Sequence, residues 1–161
     1  GSNKRLCSRY FMNKELFFMQ KALQQAKKAF ELGEVPVGAV ITFNGEIIAE
    51  DHNRSISTND PSSHAEINVI RKAANHLNNY RLTNTSLYVT LEPCIMCCGA
   101  MIHARVANLI FSALDPKSGA VVSHANLLKS EFTNHQVNYS QGPCEEDSSD
   151  LLKRFFKERR L

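Results

Sequence analysis

Three cysteines fall within five residues of "EPCIMCCGAMIHARV", where Pro93 precedes Cys94, Cys97 and Cys98. On a helix, Cys94 and Cys97 are three residues apart and project from one face. Pro93 suits the start of that helix, where its missing N–H forfeits no hydrogen bond. Both sulfurs then sit at the positive end of the helix dipole, which favours thiolate, the form that binds metal. Cys98 is rotated by about 100° from Cys97 around the helix axis, so it is expected to fill a small buried slot. Two sulfurs are half of a tetrahedral site. The stretch "DPSSHAEINVI" offers His64 in the first turn of a second helix, with Ser62 or Ser63 as its cap. Three ligands of S₂N type favour Zn²⁺ with the fourth position open to water, and two thiolates balance the metal's charge. Glu66 is two residues from His64 and so does not share its helix face, but the pair can straddle a point beyond the helix end. A carboxylate near the water and off the metal can take a proton and return it to a substrate. Glu92 is the rival carboxylate, expected to cap or brace its own helix.

Competing uses of these residues account for less. A redox Cys-x-x-Cys leaves His64 and Glu66 unexplained, and a closed structural zinc site needs a fourth ligand that neither stretch supplies. His52, His76, His103, His124 and His135 read as surface or packing histidines. The five cysteines are an odd number, and only Cys7 and Cys144 lie away from the cluster, so no disulfide framework is expected.

The elements that would carry these groups are legible in the apolar pattern. A first helix is predicted from Asn13 as N-cap, with Leu16, Met19, Leu23, Ala26 and Phe30 on its inner face and Gly33 ending it. "VGAVITF" and "EIIAED" flank Asn44-Gly45, a strong hairpin turn. The His64 helix should face the core with Ile67, Ile70, Ala74 and Leu77. "SLYVTL" is a strand leading into the cysteine helix, "ANLIFSA" a buried strand and "HQVNYS" an edge strand. A last helix is predicted from about Asp150 to Arg160, after the acidic run Glu145-Glu146-Asp147. A hairpin followed by alternating helices and strands implies an α/β protein, a mixed sheet with helices on its faces.

Length and composition fit this. The 161 residues suffice for one domain with one core, and 43% hydrophobic with 22% charged residues is ordinary globular composition. Gly1-Ser2 resembles an expression scar within an N-terminal extension (1–10) ahead of a single domain (11–161). No apolar run approaches the roughly 20 residues of a membrane span, and the N-terminus lacks a secretory core, so a cytoplasmic, soluble protein is expected. A net charge of +3 permits a polyanionic partner. The closing "LLKRFFKERRL" sets Lys153, Arg154, Lys157, Arg159 and Arg160 around Phe155 and Phe156, either as stacking faces beside phosphate-binding charge or as an amphipathic helix with its rings inward.

His-x-Glu followed by Pro-Cys-x-x-Cys is the signature of zinc nucleobase deaminases. With "EVPVGAVI", "NYRL", "LYVTLEPCIMC", "GAMIHARV" and "DPKSGA", the chain from about Phe18 onward resembles the bacterial tRNA-specific adenosine deaminases. The resemblance implies a three-layer α/β/α cytidine-deaminase-like fold with a mixed five-stranded sheet. It further implies a homodimer, with one Zn²⁺ per subunit held by His64, Cys94 and Cys97. The implied reaction is hydrolytic deamination of adenosine to inosine at the wobble position of a tRNA anticodon, usually an arginine tRNA, with Glu66 as acid and base. Asn53 matches a residue that hydrogen-bonds the flipped base, Asp115 a position near the sugar and Phe155 one beside the flanking base. Leu114 and Cys98 depart from the pattern. Rival readings are a deaminase of free guanine, cytosine or a nucleoside, and a zinc-stabilised RNA-binding module without turnover.

Overall fold

Asn44 (φ 52°) and Gly45 (φ 79°) both take the left-handed backbone that a two-residue hairpin needs. They join β1 (Gly38–Phe43) to β2 (Glu46–His52) in antiparallel register, with a bulge between Ile41 and Thr42. The computed structural model describes the backbone of residues 2–159 and the side chains of residues 13–159. Gly1, Arg160 and the side chain of Cys7 lie outside the described residues, as do the readings placed on them.

Around the hairpin, α1 (Ser2–Glu31) precedes it, and a one-turn helix, α2 (Ser55–Thr58), follows. Then come α3 (Ala65–Leu77), β3 (Thr85–Leu91), α4 (Ile95–Ala104), β4 (Asn108–Ala113), β5 (Asn138–Gln141) and α5 (Glu145–Arg159). The five strands form one mixed sheet in the order β2-β1-β3-β4-β5, β1 antiparallel to both neighbours and β3, β4 and β5 parallel. The expected α/β sheet with helices on both faces is thus present.

Strand alternation divides the core by layer. Ala39, Ile41, Leu87, Val89, Leu109 and Phe111 face α3 and α4, while Val40, Tyr88 and Ile110 face Phe18, Met19 and Ala22 of α1. α5 packs beside α1, through Leu151 against Leu23 and Ala26. α1 approaches the sheet so closely that a Cβ on Gly38 would strike the Ala22 carbonyl and the Ala26 nitrogen. Gly38→Ala is therefore expected to cost about 3 kcal/mol by overpacking against backbone that cannot yield. Thermal denaturation should show it as a drop of roughly 6–12 °C.

Several boundaries move from where the sequence placed them. α1 starts at Ser2, so Asn13 lies inside the helix and is no cap. Leu16 is 40% exposed, and Phe18 joins Met19, Leu23 and Ala26 in the buried face. Gly33 ends α1 as expected, with φ 76°, the Gly33 N–H donating to Phe30 and the Glu34 N–H to Ala29. In α3 the deepest positions are Ala65, Val69 and Ala73, whereas Ile70, Ala74 and Leu77 are only partly covered. α5 begins at Glu145 instead of near Asp150, which puts Glu145, Glu146 and Asp147 in its first turn, where the dipole favours negative charge.

Candidate metal centre and active site

β2, β3 and β4 all run opposite to β1, so their C-terminal ends lie along one edge of the sheet. The chain leaves β2 for α3 and β3 for α4 along this edge, the side of an α/β sheet where ligands bind. His64 and Cys94 are the N-cap residues of α3 and α4, both extended (φ −74°, ψ 156° and φ −80°, ψ 176°), and neither caps its helix with its side chain. Freed from capping, both side chains point across the gap between the two helix ends. Ser62 and Ser63 precede the cap, correcting the sequence expectation, and Pro93 precedes Cys94 outside the helix.

Cys97, in the first turn of α4, completes the group. The His64 Nδ1, Cys94 Sγ and Cys97 Sγ atoms lie within 4.8 Å of one another. His64 Nδ1 stands 3.7 Å from Cys94 Sγ and 3.6 Å from Cys97 Sγ. Bonds of about 2.3 Å to sulfur and 2.0–2.1 Å to nitrogen at a tetrahedral angle separate S from N by about 3.5–3.6 Å. The residues present therefore fit a tetrahedral ion. Cys98 faces away, fully buried, its thiol directed to the Pro93 carbonyl at 3.9 Å.

Protons at this centre are unevenly shared. The hydrogen bond from Cys97, with further help from His64, pulls the Cys94 thiol down to about 4. The same contact pushes Cys97 up, reinforced by burial and by Glu66. His64 is raised by its bond with Cys94. Glu66 is 4% exposed, and burial pushes its carboxyl up to about 7, opposed by its own backbone N–H, by His64 and by a hydrogen bond with Cys97. It stays outside the three-atom group while remaining within a hydrogen bond of one member.

The loop from β2 to α3 is held by side chains that periodicity did not single out. Asn53 (8% exposed) accepts the Ala65 N–H through Oδ1 at 2.7 Å, so its remaining polar group to offer is the Nδ2 donor. Asn68 donates from Nδ2 to the His52 carbonyl at 2.9 Å and accepts the Ser63 hydroxyl at 3.0 Å, tying both ends of the loop to α3. A polar residue within the apolar run "INVI" was the signal for it. Glu34, 2% exposed, accepts the N–H groups of Ile56 and Ser57 at the start of α2. Asp51 accepts the His52 N–H and pairs with Arg54 at 2.9 Å and Lys72 at 3.1 Å.

Burial on its own would raise Glu34 and Asp51, but these hydrogen bonds and cations outweigh it and hold both below their usual values. Such carboxylates stabilise the fold fully above the unfolded range, and the contribution is lost as pH falls below about 4 through their depressed folded values. The melting temperature should accordingly fall steeply below about pH 4, and Glu34→Gln should flatten that acid limb in a pH series of melting curves.

The remaining sequence candidates are dispersed. Asp115 lies past β4, its Oδ1 accepting the N–H groups of Lys117 and Ser118. Glu92 accepts no hydrogen bond from α4 and instead braces the segment containing Asp115. Phe155 is 5% exposed, packed edge-on to Phe30 and Phe156, with the Arg159 guanidinium 4.6 Å from its ring centre. It has no open face for a base, whereas Phe156 is 46% exposed. His52 and His135 bond to backbone carbonyls as packing histidines, and His76 and His103 are exposed.

A family model for MafB19-like deaminases matches residues 12–160. A tRNA-specific adenosine deaminase of Aquifex aeolicus is 50% identical over 149 residues, covering 92% of this chain and 97% of the relative. A solved tRNA:A34 deaminase, studied for A-to-I editing at the wobble position of transfer RNA, superposes with a TM-score of 0.83 at 42% identity. That match covers 85% of this chain and 99% of the other. A guanine deaminase of Bacillus subtilis is more distant, at 30% identity and a TM-score of 0.60, with 90% and 93% covered.

Proposed function

The chain belongs to the MafB19-like deaminases and, within them, to the tRNA-specific adenosine deaminases, and from that premise we propose that it converts adenosine to inosine at the wobble position of a tRNA anticodon. The observation that carries this reading is the likeness to a tRNA-specific adenosine deaminase over nearly the whole chain, and Glu66, a buried carboxyl beside Cys97 but outside the His64, Cys94 and Cys97 group, supplies the proton carrier that the chemistry needs. The S₂N donor set suits Zn²⁺, which when bound supplies Lewis acidity that makes water a nucleophile near neutral pH.

The chain's own groups do the rest. His64, Cys94 and Cys97 are the side chains that would hold such an ion. Glu66, with a carboxyl poised at about 7, takes a proton from water as oxygen bonds to C6 of adenine, and delivers it to N1. The C6–N bond then breaks, ammonia leaves with a second proton, and C6 retains the oxygen as the carbonyl of hypoxanthine. Asn53, its Oδ1 fixed by Ala65, turns Nδ2 toward an acceptor on the flipped base, and Asp115 stands toward the sugar.

An adenine in an anticodon loop reaches such a recessed centre by leaving its stack, at little cost in a single-stranded loop. Lys153, Arg154 and Lys157 of α5 are exposed beside Phe156, which combines phosphate-binding charge with a stacking surface. Phe155 contributes by packing under that surface. Residues 11–161 act as one deaminase domain, in a cytoplasmic homodimer whose substrate is an arginine tRNA. The test is inosine formation on a transcribed arginine tRNA with adenosine at the first anticodon position. Turnover of free guanine or cytosine with none on this tRNA would overturn the proposal in favour of a free-base deaminase.

A further inference from the structure

The segment that follows β4 is wrapped around one side chain. Glu92, immediately after β3, is 1% exposed. Its Oε1 accepts the Asp115 N–H at 3.1 Å and the Ser123 hydroxyl at 2.5 Å. Its Oε2 accepts the N–H groups of Val121 at 3.1 Å, Val122 at 2.9 Å and Ser123 at 2.9 Å. Among the described residues no lysine, arginine or histidine pairs with it, so backbone dipoles balance its charge. Gly119 lies against the carboxylate so closely that a Cβ there would collide with it. Two backbone bonds complete the seam, from Glu92 N–H to the Ala113 carbonyl at 2.8 Å and from Ala120 N–H to the Pro93 carbonyl at 2.9 Å. The loop of residues 114–123 is thereby fixed beside Cys94, presenting Leu114 (42% exposed), Val122 (48% exposed) and Lys117 to solvent.

We propose that Glu92 is a positioning residue for the RNA substrate: it holds the 114–123 loop as a preorganised wall against the metal-binding end of α4, where the loop meets nucleotides flanking the reacting base. The inference rests on the RNA-deaminase reading above. The chemistry explains why a carboxylate stands here. Five donors converge on two oxygens with about four lone-pair sites between them, and only an ionised carboxylate accepts from all sides. Glutamine has the same volume, but its NH₂ would replace one acceptor oxygen, leaving either the Asp115 N–H or the three N–H groups of Val121, Val122 and Ser123 without an acceptor in a buried place. A loop that must be ordered as the RNA binds subtracts that ordering from affinity.

The experiment compares wild type with Glu92→Gln and with Gly119→Ala, which keeps the carboxylate and displaces the loop from the other side. Three readouts are taken on the zinc-loaded full chain. These are amide exchange at Val121, Val122 and Ser123, zinc per chain, and anisotropy of a fluorescent anticodon stem-loop. Both variants should exchange these amides at least about tenfold faster, keep their zinc, and bind the stem-loop about tenfold more weakly. Faster exchange with unchanged RNA affinity would make Glu92 purely structural and overturn the proposal, as would unchanged exchange. A wild type that binds the stem-loop without forming inosine would remove the deaminase reading and leave this inference standing.

Discussion

Glu66→Ala is expected to lower inosine formation by roughly 10²–10⁴-fold, the range of a lost general acid–base, while the chain keeps its fold and its zinc. The expectation follows from where the carboxyl sits. Glu66 is outside the three-atom donor group, so its removal takes no bond from the ion. It is nearly inaccessible, and burial brings its proton affinity to about 7, where gaining and losing a proton are both cheap at neutral pH. Glu66→Gln sharpens the point, since it preserves volume and hydrogen bonding but carries no exchangeable acid. It should be as inactive as the alanine variant. Turnover measured on an anticodon stem-loop, with zinc per chain and a melting curve, separates the outcomes. A variant that loses its zinc would mean that Glu66 is a ligand, and one that keeps its turnover would remove it from the mechanism.

Much of this candidate site was legible because its donor side chains are local in sequence. Cys94 and Cys97 share one helix end, His64 and Glu66 another, and a spacing of three or two residues fixes their relative direction whatever the rest of the chain does. What spacing could not supply was the convergence of the two helix ends. That comes from the sheet, whose β2 and β3 flank β1 and point the same way. The hairpin at Asn44-Gly45 was readable for a similar reason, since its turn requires two consecutive left-handed residues.

The misses share a different cause. Asn13 has a cap's chemistry, but nothing in "SNKRLCSRYFM" breaks a helix, so α1 continues through it. Leu16 keeps the right phase and still faces solvent, because periodicity gives a helix face and not the extent of the sheet beneath it. Apolar spacing alone places the start of α5 near Asp150, whereas Pro143 and the left-handed Cys144 set it at Glu145. Glu92, Asn68 and Glu34 act on residues between 5 and 31 positions away. Their partners are mostly backbone groups, which carry no sequence signature.

Removal of the metal should separate the three clustered cysteines. Cys94→Ala, Cys97→Ala and His64→Ala each delete one of the donors placed to hold the ion. Each should leave the purified chain with little zinc and no inosine formation. Cys98→Ala should retain both, at a cost of about 1 kcal/mol for the small cavity opened under α4, because its thiol faces Pro93 and no donor of the site. Chelating zinc from the wild type should lower its stability by about 4 kcal/mol relative to a solution with free metal at a thousand times Kd. The stripped chain should remain folded. The core beneath the centre, with Ala65, Val69, Met101 and Phe111, is one apolar cluster that includes none of the three donors. Zinc per chain and melting curves for the four variants decide the assignment. Loss of zinc from Cys98→Ala, or its retention in Cys97→Ala, would move the metal to a different pair of sulfurs.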